Sequence, residues 1–410
     1  MLEVRAARSE EEVNAAIRCC GLAFGNGEPQ RTARMTAFFE KIHKKDPSFR
    51  LENTRIAALD GQVVSVVQVF DRTVRLGPAR LRLAGIGSVG THPAFRGRGY
   101  NTAVLEDTVR FLEEEAYDLS LLFTGIQDYY RRLGWQPFPY VFMHEGPVSH
   151  PLPPVAFEGR LRPARWEEDL EALIEIHALA DAEAAGPIVR TPELWRSFEL
   201  WRGFDRSAFT VAESGAGRVV AYRLAGGHRW EEERFSILEV QSLPGHEVAA
   251  LALVADFYNK LLRAGEPTMR IYGNPLILRD LERLGLAFRP KALGGTMYRL
   301  IRPESAVLQL AIANLQPNPM PGPVIARLRV GSETLTFRVE GRRVERLEDA
   351  TSADWELELT QGELIALLFG QEEVPSSRSG PWRSEEGAER AFWKRLFPSR
   401  PYRWYVEDNF

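Results

Sequence analysis

One stretch of this chain occurs twice. Residues 3–17, EVRAARSEEEVNAAI, align with residues 160–174, RLRPARWEEDLEALI, an offset of 157. Each copy reads as a short strand carrying an arginine, then a helix start rich in acid, then apolar residues at helical spacing. Ser9 with Glu12 fits a capping box, and acids in a first turn suit the helix dipole. A second echo follows, RLGW at 132–135 and RLGL at 283–286, an offset of 151. A repeat of this period constrains the 410 residues to one fold of about 150 residues used twice, with a remainder of about 105.

Pro147–Pro154 holds four prolines in eight residues and reads as a linker, and Arg302-Pro303 marks a further boundary. The expected division is 1–148, 149–302 and 303–410, in an α/β and α+β fold class. The first copy reads as strand, helix, helix, hairpin, strand, helix, strand, helix, strand. Its hairpin turns at Asp60-Gly61 between Arg55–Leu59 and Val63–Phe70, followed by a strand over Leu81–Thr91. A helix over Thr102–Glu114, a strand over Leu119–Phe123 and a helical turn from Tyr129 to Leu133 complete it, with Gly134 as C′ glycine. In the last segment, Val324–Val330, Thr334–Glu340 and Trp355–Leu359 alternate like strands. Thr360 and Glu363 open an apolar helix to Phe369, Gln371–Pro381 is a polar loop, and Glu385–Phe397 is amphipathic.

Composition bounds the function. With 52 basic and 56 acidic residues the net charge is −4, which excludes a strongly basic nucleic-acid binder. No run of about 18 apolar residues occurs, so no membrane insertion is expected. Adjacent Cys19 and Cys20 sit in an amphipathic pattern and read as core residues of a reduced, cytoplasmic protein. His246 and the other histidines lack metal-spaced neighbours, and no metal is expected. Only six basic residues are lysine, which fits either arginine chosen for bidentate pairing or genome composition.

The segment Val89–Val104, VGTHPAFRGRGYNTAV, carries the chemistry. A strand enters a loop with glycines at alternate positions, and the loop enters a helix. Glycines let several N–H groups converge, the helix N-terminus adds partial positive charge, and Arg96 and Arg98 add full charges. This composes a pyrophosphate site. The pattern is neither a Walker loop nor Gly-x-Gly-x-x-Gly.

The pattern Val-x-Thr-x-Pro-x-x-Arg-Gly-Arg-Gly resembles the acyl-coenzyme A loop of the GNAT N-acetyltransferase superfamily, Arg/Gln-x-x-Gly-x-Gly/Ala. Arg96, Gly99 and Asn101 occupy the marked positions, and Asn101 departs from the usual small residue. Two tandem GNAT-like units followed by a smaller α+β module resemble the enhanced intracellular survival (Eis) acetyltransferases. In that family the third module is similar to a sterol carrier protein. The family's Ile-Tyr-Gly-Arg-Phe-Gly-Tyr segment aligns with residues 129–135, which puts its acid tyrosine on Tyr130. Its C-terminal carboxylate base falls on Phe410. The resemblance implies coenzyme contacts at Val89, Gly90, Thr91, Arg96, Gly97, Arg98, Gly99, Tyr100, Asn101, Thr102, Gly125 and Ile126. It also implies acetyl-coenzyme A as co-substrate, acceptors such as aminoglycosides or lysine amines, and a hexamer.

The chemistry is coherent. An amine near pKa 10 needs a base, and a tyrosine near pKa 10 is a suitable donor to a thiolate leaving group near 8.5 because the transfer is not far uphill. Glu407 and Asp408 are expected to raise the Phe410 carboxyl and to draw a cationic acceptor. Residues 24–28 and 41–47 are expected on the acceptor side. In the second copy Leu281 replaces Tyr130 and residues 241–247 lack Arg-Gly-Arg-Gly, so this copy reads as a structural partner. The rival reading, from a different class, is a binding protein whose last module holds an apolar ligand, motivated by the apolar helix 363–369.

Overall fold

The computed structural model describes residues 1–201, 208–226, 236–273, 278–293, 295–348, 352–371, 387–405 and 408–410. The chain opens with β1 (Leu2–Ala6), α1 (Glu10–Gly25) and α2 (Pro29–Lys44), followed by the antiparallel strands β2 (Thr54–Leu59), β3 (Gln62–Leu76) and β4 (Ala79–Thr91). Next come α3 (Tyr100–Glu114), β5 (Leu119–Phe123), α4 (Gln127–Arg131), β6 (Gln136–Pro137) and β7 (Tyr140–Pro147). β3 runs six residues beyond the expected Phe70, because Val74 and Leu76 alternate inward with the polar Arg75 between them. Residues 148–158, which include the expected linker except Pro147 at the end of β7, have no regular secondary structure.

The second pass reads β8 (Gly159–Pro163), α5 (Trp166–Ala180), β9 (Ala185–Ile188), α6 (Pro192–Trp201), β10 (Phe209–Ser214), β11 (Val219–Ala225) and β12 (Ser236–Ser242). α7 (Glu247–Ala264), β13 (Thr268–Tyr272), α8 (Leu278–Arg283), β14 (Arg289–Leu293) and β15 (Thr296–Leu300) follow. Local chemistry repeats with the sequence. Arg5 grips Glu12 through both terminal nitrogens at 2.9 and 2.8 Å, and the Arg8 N–H donates to the same carboxylate at 2.7 Å. At the equivalent positions Arg162 grips Asp169 at 2.7 and 2.9 Å, and the Arg165 N–H donates to it at 2.7 Å. The N–H of Trp135 reaches back to the Tyr130 carbonyl, and that of Leu286 reaches back to Leu281. Gly134 and Gly285 take the positive φ that this helix stop needs, 93° and 85°.

The two sheets share one strand order, with one exchange. The first runs β1-β2-β3-β4-β5-β15-β6, with β9 added to β3. The second, read from β8, runs β8-β10-β11-β12-β13-β7-β14. Thus β7 lies between strands of the second pass, and β15 lies between β5 and β6 of the first. Thr296–Leu300 pairs antiparallel with Leu119–Phe123, and Tyr272–Thr268 pairs with Met143–Pro147. Each sheet is completed by a strand from the other half of the chain, so neither half covers its own edge.

The last segment begins with α9 (Pro303–Leu315). β16 (Val324–Val330), β17 (Glu333–Glu340), β18 (Arg343–Arg346) and β19 (Trp355–Leu359) form a sheet ordered β18-β17-β16-β19. α10 (Gln361–Leu368) starts at the expected capping box, and α11 (Ala388–Leu396) lies within the expected amphipathic stretch. Residues 372–381 of the expected polar loop fall outside the described residues. The segment is hooked to the first sheet through buried Asp118, which accepts from Arg302, Ser305 and Gln309 at 3.2, 2.7 and 3.1 Å.

The exchange makes a direct prediction. A fragment of residues 1–148 lacks β15 and exposes the edge of β5, so it should show no cooperative thermal transition by circular dichroism. Coexpression with 149–410 should restore a soluble complex that melts in one step.

Candidate active site

β3 and β4 pair with one irregularity. Val66 opposes Gly90 and Gln68 opposes Gly87, so Ser88 and Val89 on β4 face only Val67. The extra residue makes a bulge, and Ser88 sits there with φ of 50°. Two helices hold it. His43 of α2 bonds the Ser88 hydroxyl through Nε2 at 2.7 Å, and the Cys20 thiol of α1 donates to the Ser88 carbonyl at 3.3 Å. The parallel pairing of β4 with β5 runs only from Leu83–Leu119 to Ile86–Leu122, although β4 continues to Thr91. Beyond Ile86 the β5 side of β4 offers backbone groups without a strand partner. In an open α/β sheet, ligands settle outside such carboxyl ends.

The glycine-rich segment continues from this free edge. Gly97 and Gly99 take φ of 75° and 78°, and an added Cβ at either would meet nothing within 4 Å, so the loop is open to a ligand. The backbone N–H groups of residues 97–102 donate to no acceptor among the described residues. That is the fit expected for a pyrophosphate at a helix N-terminus. Arg98 lies 5.5 Å from the Phe95 ring and makes no ion pair among the described residues. Arg96 is tied back to the carbonyls of Ala23 at 2.7 Å and Thr91 at 3.4 Å.

A cavity of about 480 Å³ brings the expected residues together. Val89, Gly90, Thr91, Arg96, Gly97, Arg98, Gly99, Tyr100, Asn101, Thr102, Ile126 and Tyr130 line it, with Ala23, Phe24, Phe95 and Tyr129. Gly125 and Phe410 do not. Asn101 turns away from the loop: its amide donates to Ser65 at 3.2 Å, and its carbonyl accepts from the Tyr129 hydroxyl at 3.0 Å. The side chain at the expected small-residue position therefore braces α3 against β3 and α4. The Tyr130 hydroxyl has no hydrogen-bond partner among the described residues, and burial pushes its pKa above the usual tyrosine value.

The C-terminus docks on β4. A Cβ at Gly85 would stand 2.6 Å from the Phe410 ring, and one at Gly87 would stand 3.2 Å from the terminal carboxyl carbon. The Phe410 ring stacks on Phe70 at 5.7 Å and tilts against Phe123 at 5.7 Å. Side chains alternate across a sheet, and Gly85 and Gly87 point opposite to Ala84 and Ile86. Ala84 and Ile86 share a buried cluster with Tyr130 and Trp135, whereas Phe70 and Phe410 belong to the other. Tyr130 and Phe410 thus stand on opposite faces of the first sheet, beside the place where β4 and β5 part. Gly85, Gly87 and Ser88 were not singled out by the sequence reasoning, and His43 fell only within the segment expected on the acceptor side. The signal for the first two was three glycines, 85, 87 and 90, within six residues of one strand.

The acid tail behaves differently from the expectation. Asp408 is buried and both its oxygens are taken by Arg190, at 2.8 and 3.0 Å, while the same guanidinium holds Glu239 of β12 at 3.2 and 2.9 Å. Both its oxygens are engaged by a buried guanidinium, so it does not face the cavity to draw a cationic acceptor. Glu407 lies outside the described residues. Arg403 and the Tyr405 hydroxyl both donate to Asp181 at 2.8 Å, and the Trp404 indole donates to Asn409 at 2.8 Å. The acceptor-side expectation also changes. Phe24 lines the cavity, but Ile42 and His43 are core residues and Asp46 is buried against Arg72. Arg72 holds the Asp46 carboxyl below its usual range although burial works in the opposite direction.

Residues 3–138 match the family model for the acetyltransferase (GNAT) domain. Over the full chain the fold is similar to that of solved GNAT-fold structures. A probable N-acyltransferase from Enterococcus faecalis V583 is 18% identical, with TM-score 0.72 and 100% of both chains covered. A GCN5-related N-acetyltransferase from Anabaena variabilis is 16% identical, with TM-score 0.69 and 98% and 99% coverage. Eis1 from Mycobacterium abscessus is 18% identical, with TM-score 0.67 and 100% of both chains covered. Among curated proteins no relative matches.

Two outcomes follow. Arg190→Met leaves Glu239 and Asp408 buried without their cation and should cost roughly 3–5 kcal/mol in urea unfolding. Burial drives His43 down to about 3, so the fold keeps it neutral where an unfolded chain protonates it. Its contribution is complete above pH 6.5 and lost as pH falls from there towards 3. Between pH 7 and 5, His43→Gln should therefore lose about 2 kcal/mol less stability than the parent chain, read from unfolding curves at both values.

Proposed function

We propose that the chain is an acetyl-coenzyme A-dependent N-acetyltransferase, with Tyr130 as proton donor and the Phe410 carboxylate as proton acceptor. The observation that carries this reading is their placement on opposite faces of the sheet at the β4–β5 gap, next to the anion-ready loop. Acetyl-coenzyme A supplies the activated acetyl group as a thioester. The N–H groups of residues 97–102 and the free guanidinium of Arg98 hold its pyrophosphate. The unpaired edge at Val89–Thr91 receives its amide-bearing arm. Phe410 takes a proton from the attacking amine, and Tyr130 gives one to the departing sulfur. Burial raises the pKa of Tyr130, so it is protonated when the thioester binds.

Within this reading 1–148 is the catalytic unit, 149–302 a unit without the loop and donor, and 303–410 a sterol-carrier-protein-like module that delivers the terminus. Leu281, fully buried, occupies the Tyr130 position, so the second unit has no proton donor there. Aminoglycoside-like or lysine amines, a cytoplasmic location and a hexamer rest on resemblance to the Eis family.

The apolar-ligand reading finds less support. The cavity beneath α9, walled by Val307, Leu328, Leu335 and Leu364 among others, is about 40 Å³, close to the room one water takes in the liquid. A groove of about 550 Å³ along α9 is of mixed lining, with Arg302, Glu304 and Glu333 beside Ile301, Pro303, Leu308 and Ile312, and it is open to solvent rather than an enclosed apolar pocket.

Adding one glycine after Phe410, or changing Tyr130→Phe, should each lower kcat by about 10²- to 10⁴-fold. Coenzyme A affinity by calorimetry should stay within about twofold, since neither residue supplies the anion site. Unchanged kcat in both overturns the mechanism.

A further inference from the structure

The β3–β4 hairpin turns at Gly77-Pro78, at the end of β4 opposite the coenzyme loop. From Ala79 to Thr91 a strand spans about 40 Å, so this turn is a separate place. Arg75 and Arg80 are direct cross-strand partners and point to the same face. Like charges set opposite each other repel, and both residues are only partly exposed. A third cation joins them from the C-terminal segment. Gly77, with φ of 60°, carries the Arg400 guanidinium directly against it, where any Cβ would collide. Arg80 donates to the Gly77 carbonyl at 2.8 Å, so two guanidinium groups touch one residue.

None of the three makes an ion pair among the described residues. Arg80 has only the carbonyls of Gly77 and Ala79. Arg400 donates to Asn314 at 2.8 Å and leaves its Nε buried without a partner. The carboxylates felt by the group are Glu183, which is exposed, and Asp181, which is already held by Arg403 and Tyr405. Burial lowers all three arginines, Arg80 to about 10. Three arginines against one unengaged carboxylate leave an excess of positive charge in a half-buried place.

We propose that Arg75, Arg80 and Arg400 form a binding site for a doubly charged oxyanion of the phosphate class at the β3–β4 turn. Guanidinium forks match the oxygens of such an ion in pairs, and its two charges answer the excess. Arg400 begins the segment that ends at Phe410, so a bound anion fastens the root of the docked tail. The site does not depend on the enzymatic reading.

The test is thermal unfolding of the full chain in phosphate against chloride at equal ionic strength. The parent should gain several degrees in phosphate, Arg75→Gln and Arg80→Gln should lose most of that gain, and Arg98→Gln, which removes only what the coenzyme loop contributes, should keep the larger part of it. In chloride alone Arg75→Gln, whose side chain makes no hydrogen bond among the described residues, should melt higher than the parent because the repulsion is relieved. Glycerol phosphate is run beside inorganic phosphate: a larger shift with the ester assigns a phosphoryl group on a larger molecule, and a smaller one assigns the free ion. No phosphate-specific gain in the parent overturns the site, as does a gain kept by either Arg75→Gln or Arg80→Gln, or one abolished by Arg98→Gln.

Discussion

The parting of β4 from β5 after Ile86 is the constraint around which the first sheet is organised. Buried backbone polar groups have to be paired, so a strand that loses its neighbour in mid-course must offer those groups to something else. Here β4 keeps its β3 ladder on one side, through a bulge at Ser88 pinned by His43 and Cys20, and leaves the other side open. The glycine-rich loop follows the open edge without a break. The cavity, the loop and the two candidate proton-transfer groups all gather at this gap in the ladder.

The C-terminus reaches that gap from the far end of the chain, and its arrival is secured by buried charge together with the packing of Trp404 and Phe410. Arg190 is shared between Glu239 of the second sheet and Asp408 of the tail. Burying three charges costs several kcal/mol each unless they satisfy one another, so the arrangement tolerates little displacement. Glycines at 85 and 87 complete the fit by leaving room for the last ring and carboxyl. The exchange of β7 and β15 ties the same parts together. The sheet that holds Arg190's partner and the sheet that receives Phe410 each contain a strand of the other.

Much was legible where interactions are local. The arginines and acids of the twin clasps, Arg5 on Glu12 and Arg162 on Asp169, stand seven residues apart inside the repeat, although the repeat pointed to a Ser9–Glu12 capping box rather than to the clasps. The stops at Gly134 and Gly285 depend on a conformation that glycine favours, and the loop at 97–99 depends on the same freedom. The roles of Asp408 and Asp46 were misjudged because their partners, Arg190 and Arg72, lie 218 and 26 residues away. A carboxylate looks the same in sequence whether it faces water or a buried guanidinium. The exchange of β7 and β15 was invisible for a related reason: both strands fill equivalent slots in sheets of the same order, so their hydrophobic patterns suit either.

The sequence by itself determined the two passes of one strand–helix pattern, the punctuation of the helices and the anion-ready loop after β4. These follow from residue type and short spacing, which act before any long-range contact forms. Only the tertiary structure decided which half supplies each sheet's missing strand, which guanidinium holds Asp408 of the tail, and that Phe410 and Tyr130 face one gap from opposite sides. Those outcomes depend on pairings between distant residues, and nothing in a residue's immediate neighbours encodes its distant partner.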